Sequence, residues 1–216
     1  MIRHHVSDDL LLSYEAGSLA EGWSLAIATH LAFCRQCHDR ACAASQLGGA
    51  LLEEIEPAEV EAESLDRVMQ RIAELQPPQP SAKPQPAAVA IIPDPLRSYV
   101  GGDVESIRWR RLGLSARQLL IKTSDGATSV RLLRIPAGEP VPQHGHRGPE
   151  LTVILSGDLI DEGEVFRRGD IEQADETIEH QPSAGPTEDC ICLAVTDAPL
   201  RFKSLAVRLA QPFLRI

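Results

Sequence analysis

The spacing of apolar residues changes character about a third of the way along the chain. Up to Leu75 they recur every three or four positions, the period of an amphipathic helix; beyond Pro86 they gather in short runs separated by turn residues, the habit of strands. Ser7 followed by Asp8 and Asp9 predicts a helix start, since a hydroxyl can cap and acids favour the positive end of the helix dipole. Leu10, Leu11, Leu12 and Tyr14 supply its apolar face, and Ala16-Gly17 ends it. Trp23, Ile27, His30, Leu31 and Cys34 fall on one stripe of a second helix. A third is expected from about Cys37 through Leu47, Leu51 and Leu52, where Gly48-Gly49 either weakens the helix or admits a close backbone neighbour. Leu65, Val68, Met69, Ile72 and Leu75 form a fourth stripe. That helix either packs as plain core or closes over a partner.

Between the two regimes lies Gln76-Pro-Pro-Gln-Pro-Ser-Ala-Lys-Pro-Gln-Pro86, proline-rich and aperiodic, which reads as an extended linker. It divides the chain into a helical domain at 1–76, a linker at 77–96 and a second domain at 97–216. Few contacts are expected to cross such a segment, so the helical part should fold and act by itself. In the second domain Leu119-Leu-Ile121, Val130 to Ile135, Leu151 to Leu155 and Cys190 to Val195 read as strands, with turns at Ser124-Asp125-Gly126 and Ser156-Gly157-Asp158. Closely spaced strands of this kind predict an all-β barrel or jelly roll.

Charge sharpens the division. The net charge of the 216 residues is -10, and residues 1–76 carry 13 acidic against 5 basic side chains, so most of the excess sits in the helical part. From Glu53 to Asp66 come seven acids and no base. A phosphate backbone would be repelled, which argues against direct nucleic-acid binding; a basic protein partner fits better. An aromatic content of 4% leaves little for base stacking or a sugar groove. Met1 leads into polar residues rather than an apolar core, so no signal peptide is expected, and no run approaches the ~20 apolar residues of a membrane span. Five cysteines, two of them in a metal pattern, argue against a disulfide framework and for a cytoplasmic, reducing setting.

That metal pattern is His30-x3-Cys34-x2-Cys37. Residues four apart share a helix face, so His30 and Cys34 should point the same way, and a turn into the third helix would fold the Cys37 sulfur back. The fourth ligand of a tetrahedral zinc site would come from His4 or His5, held just before the first helix. Spacing alone leaves both open. Cys42 falls off the ligand face and is expected to be a small buried residue.

A second constellation stands in the β region, where Gly138-x5-His144-x-His146-x3-Glu150-x6-Gly157 matches the first cupin motif at every defining position. The second motif is partial: Gly169 and His180 keep their separation, but Asp175, Thr177 and Ala184 replace the usual proline, glycine and asparagine. His144 and His146, two apart on a strand, should face one side of the sheet, with His180 reaching in from a later strand across the barrel. Three imidazoles and the Glu150 carboxylate suit a divalent metal: zinc, iron, manganese or nickel. Cys190 and Cys192 alternate onto one face and read as small core residues.

Taken together, His5, the 24 residues after it, His30-x3-Cys34-x2-Cys37 and the C-terminal cupin motif resemble the ChrR-like family of zinc-binding anti-sigma factors. The resemblance covers nearly the whole chain and implies an all-α zinc-binding helical domain followed by an all-β cupin. It selects His5 over His4, leaving His4 as a solvated terminal residue. It implies that the helices hold a sigma factor of the extracytoplasmic-function group away from RNA polymerase, without enzymatic activity. By the same resemblance the cupin would receive an oxidative signal such as singlet oxygen or organic peroxide. The competing reading is a cupin metalloenzyme, a dioxygenase or isomerase, with a zinc module attached. The acidic helical domain with its own metal pattern favours the regulator, since an enzyme does not need one.

Overall fold

In the computed structural model, residues 1–75, 90–204, 207 and 211 are described. The proline-rich stretch expected as a linker lies outside them. Four helices precede it: α1 (Asp8–Glu15), α2 (Glu21–Leu31), α3 (Arg35–Glu53) and α4 (Ser64–Glu74). Ser7 does stand at the N-cap of α1, but its hydroxyl donates to Gln173 Oε1, 3.2 Å away, instead of accepting from the first helical turn. The second helix ends sooner than its stripe suggests. Cys34 lies beyond α2, at the N-cap of α3, with its sulfur accepting from the Cys37 N–H at 3.4 Å.

α3 runs unbroken through Gly48 and Gly49, and a Cβ at either would meet nothing within 4 Å, so no backbone approaches there. Its second half is solvent-facing: Leu47, Leu51 and Leu52 are exposed. Cys42, expected to be buried, is exposed as well, because only Cys37 and Ala41 of α3 turn inward. No residue of α4 is buried, and Leu65, Val68, Met69 and Ile72 are at least half exposed, which removes the reading of α4 as a plain core helix.

From residue 90 onward the described residues form a short helix α5 (Asp94–Val100), a 3-10 turn (Val104–Ser106) and twelve strands. The long ones are β2 (Ala116–Ile121), β3 (Ser129–Ile135), β5 (Glu150–Ser156) and β11 (Cys190–Thr196), where the apolar runs predicted them. With β1 (Arg110–Leu112) and β8 (Ile171–Ala174) they form an antiparallel sheet in the order β1-β2-β3-β11-β5-β8. Two smaller sheets complete the barrel. One joins β4 (His144–Gly145), β9 (Glu179–His180) and β12 (Arg201–Phe202); the other joins β6 (Leu159–Asp161), β7 (Glu164–Phe166) and β10 (Ser183–Ala184).

Strand alternation gives the large sheet two apolar faces. One face, with Ile135, Ile154, Cys190 and Cys192, packs against Leu159, Phe166 and Ala184 inside the barrel. The other presents Val130, Leu132, Leu151, Val153, Leu193 and Val195 outward, and it is covered by Leu25, Ala26 and Ile27 of α2 together with Ile92 and Leu96. The helices and the barrel therefore share one core, contrary to the expectation that few contacts cross between them. Ile92 and Leu96, within the segment expected as linker, are fully buried in it.

α2 lies directly on the sheet. A Cβ at Gly22 would land on Thr128 Oγ1 and 2.6 Å from Val130 Cγ2, so only glycine allows this approach. The first residue of α2 is tied to the turn after β2 and to α5: the Glu21 N–H donates to Asp125 at 2.7 Å, and its carboxylate accepts from the Ser124 N–H at 2.5 Å and from Tyr99 of α5 at 2.7 Å. Among the described residues no helix is long and apolar enough to cross a membrane.

Two candidate metal clusters

His5, His30, Cys34 and Cys37 meet, with one donor atom from each lying within 4.8 Å of the others. His5 comes from the arm before α1, His30 from the last turn of α2, and the cysteines from the start of α3. His5 Nδ1 lies 3.3 Å from Cys34 Sγ and 3.4 Å from Cys37 Sγ. His30 Nδ1 sits 2.7 Å from the Gly169 carbonyl oxygen; a carbonyl can only accept, so Nδ1 carries the proton and Nε2 is left with its lone pair. That Nε2 is buried with no hydrogen-bond partner. An orphaned buried nitrogen beside two thiols is costly unless a cation completes it. Burial pushes the His30 imidazole down to about 4, so the ring is neutral at ordinary pH, as a metal ligand must be. Burial also raises the Cys37 thiol, an effect that a bound cation would reverse. Four residues of this type can hold one metal ion.

His4 is the histidine left out. Its Nε2 lies 3.2 Å from Glu164, and its ring rests on Phe166 with centroids 4.2 Å apart. It is held against the barrel and not solvated as expected.

In the barrel, three Nε2 atoms converge: His146 to His180 at 2.9 Å and His180 to His144 at 3.2 Å. His144 and His180 are direct partners in the β4–β9 pairing, so His180 comes from the adjacent strand and not from across the barrel. His146 follows immediately after β4. Each ring turns its other nitrogen outward. His144 Nδ1 donates to the Pro142 carbonyl at 2.8 Å, and His180 Nδ1 faces Asp161 Oδ2 at 2.7 Å. His146 Nδ1 is 3.5 Å from Glu150 Oε2. Glu150 thus stands beside His146, outside the trio whose donor atoms all lie within 4.8 Å. Burial lowers His144 and His146 to about 4 each, leaving neutral rings with bare nitrogens aimed at a common point. Such a trio can hold a divalent cation, with outward hydrogen bonds fixing the His144 and His180 rings in the way outer-shell partners do.

Two side chains at this cluster were not singled out from sequence. Asp161 and Glu172 form, with His180, a second buried group of possible ligands. Burial, followed by the charge of Asp161, raises Glu172 to about 9, so it is protonated and can donate to its neighbour. The available signal was a charged residue beside apolar ones in a short strand, Leu159-Ile-Asp161 and Ile171-Glu172. Glu150 is also raised by burial, opposed by the Thr152 hydroxyl 3.1 Å away.

With this geometry in hand, comparison with known proteins is specific. Residues 99–199 match the ChrR Cupin-like domain. Over all 216 residues the chain is 50% identical to the anti-sigma-E factor ChrR of Cereibacter sphaeroides, covering 99% of that protein. The crystal structure of Rhodobacter sphaeroides SigE in complex with the anti-sigma ChrR is similar at TM-score 0.80 and 47% identity, over 91% of this chain and 100% of that one.

Proposed function

The chain belongs to the ChrR family of anti-sigma factors, and from that premise we propose that it binds and inhibits a sigma factor of the extracytoplasmic-function group. It is a regulator of transcription and not an enzyme. The division of labour follows the sequence: residues 1–76 hold the sigma factor by occupying surfaces it needs for polymerase, and residues 97–216 receive the signal that ends the hold. The signal is oxidative, singlet oxygen or an organic peroxide. The protein acts in the cytoplasm, on a protein partner and without direct contact to nucleic acid or membrane.

The observation that carries this reading is α4. Its stripe of Leu65, Val68, Met69 and Ile72 is at least half exposed, and none of its residues is buried. An amphipathic helix with an uncovered apolar face is the form in which helices enter a partner's groove. The acidic run before it, exposed from Glu53 to Glu63, suits a basic partner surface.

Zinc is the ion proposed for the helical cluster, held by His5, His30, Cys34 and Cys37. Zinc–sulfur and zinc–nitrogen bonds of about 2.3 and 2.1 Å would give tetrahedral N···S edges of about 3.6 Å, within a few tenths of the 3.3 and 3.4 Å found around His5 Nδ1. When bound there, zinc supplies folding energy and no chemistry. In the barrel, His144, His146 and His180 hold a divalent metal, zinc foremost, with Glu150 beside it.

The test is association of the full-length protein with its sigma factor. Replacing Val68, Met69 and Ile72 by serine should weaken the complex by at least about 2 kcal/mol, roughly thirtyfold, while the thermal midpoint of the free protein stays put. Undiminished affinity in that variant would remove α4 from the interface and the reading with it.

A further inference from the structure

The outer partners of the helical cluster come from the barrel. His30 Nδ1 donates to the Gly169 carbonyl at 2.7 Å, in the turn that leads into β8. Gly169 has φ +89, and a Cβ there would sit 2.8 Å from Ile2 Cδ1 and 2.9 Å from Phe33 Cβ. Only glycine brings that carbonyl so close to the helices. Next in sequence, the Asp170 side chain is 1% exposed and spends its oxygens on backbone N–H groups. Oδ1 accepts from Arg3 at 2.6 Å and His4 at 3.1 Å, and Oδ2 accepts from Arg167 at 2.8 Å. The Ile171 N–H then reaches the His4 carbonyl at 3.4 Å, and the Gln173 amide reaches the His5 carbonyl at 3.3 Å.

The arm that carries His5 is thus laid along the edge strand of the large sheet. Strand alternation sends Glu172, between these residues, to the other face, where it joins Asp161 and His180. One strand borders both clusters.

We propose that Gly169 and Asp170 are positioning residues of the helical metal site, so that the barrel controls that site by direct contact at β8 and not through the linker. The carbonyl sets the tautomer and aim of His30; the carboxylate holds the arm that delivers His5. Outer-shell partners of this kind change metal affinity by about 10–100-fold. A displacement of β8 at its Glu172 face would loosen two of the four ligands of the site that orders the partner-holding helices. The proposal rests on the reading that His5, His30, Cys34 and Cys37 hold a metal.

Cobalt(II) tests it in the full-length protein. Thiolate-to-cobalt absorption reports the Cys34–Cys37 site alone, because the barrel trio contains no sulfur ligand. Competition against a chelator then gives the affinity. Gly169→Ala and Asp170→Ala should each lower it about 10–100-fold and alter the cobalt band shape, with cobalt in the barrel retained. If Gly169→Ala fails to fold, Asp170→Asn decides; it keeps the side-chain shape and loses the charge, and a severalfold loss of affinity is expected. Undiminished affinity and an unchanged band in folded Asp170→Ala and Asp170→Asn overturn the proposal. Absence of any thiolate band in the wild type would instead overturn the metal reading beneath it.

Discussion

The helical cluster gathers its four side chains from three short pieces of chain, whereas the barrel cluster takes three imidazoles from paired strands and the residue just after. The two would respond differently to the loss of a bound ion. His144 and His180 stay neighbours through the β4–β9 ladder, and outward bonds to Pro142 and Asp161 keep their rings in place. His30 is carried by α2, which is packed on the sheet, but the pieces that bring His5, Cys34 and Cys37 are thinly buried: α1 buries only Leu11, and α3 only Cys37 and Ala41. What further steadies that side comes from the barrel, through the sheet under α2 and through Gly169 and Asp170. A metal at the helical cluster would therefore be part of the fold, and a metal at the barrel cluster a passenger on a fold already made.

The strongest challenge to this contrast is Cys34→Ser together with Cys37→Ser. Structural zinc of this type contributes about 10–16 kcal/mol of apparent binding energy to folding. The double variant should lose the helical metal, much of the α1 and α3 helicity, and sigma-factor binding. Metal analysis and far-UV circular dichroism are the measurements. Full helicity in metal-free protein would make the two clusters alike.

A smaller effect is expected at the seam between the two parts. Gly22→Ala places a methyl against Thr128 and Val130 and should destabilise the protein by about 1–3 kcal/mol, the usual range for overpacking. Thermal unfolding would register it, with the barrel metal retained. An unchanged midpoint would mean that helices and barrel part easily, as the proline-rich stretch suggested.

The smallest structural effect should follow His144→Ala with His146→Ala. Barrel metal should vanish while the far-UV spectrum and the helical metal stay as they were. Collapse of the barrel in this variant would turn its metal from passenger into structure.

Much of this molecule was legible before any coordinates. The helix-to-strand change of period, the four long strands, and the grouping of His30, Cys34 and Cys37 depend on local spacing, whereas His5 was selected over His4 only by the family resemblance. Local spacing likewise groups His144 and His146. Cys42 was misplaced because one helical stripe says which residues share a face, not which face another element covers. His180 was put in the wrong place because strand order across a barrel is a long-range property, absent from spacing.

The sequence by itself determined the kinds of element, most members of the two side-chain clusters, and the acidity of the helical part. Tertiary structure decided how they are joined. Alternation in β5 and β11 gives the sheet two apolar faces, and nothing local says that the outer one is covered by α2 instead of a second sheet or a partner. Nor does any local pattern mark Gly169 as the carbonyl that orients His30, 139 residues away. A backbone oxygen has no side-chain signature, and Asp161 and Glu172 gain their meaning only from the ring they meet. Distances of that kind are fixed by packing, which sums interactions over the whole chain and is not written at any single position.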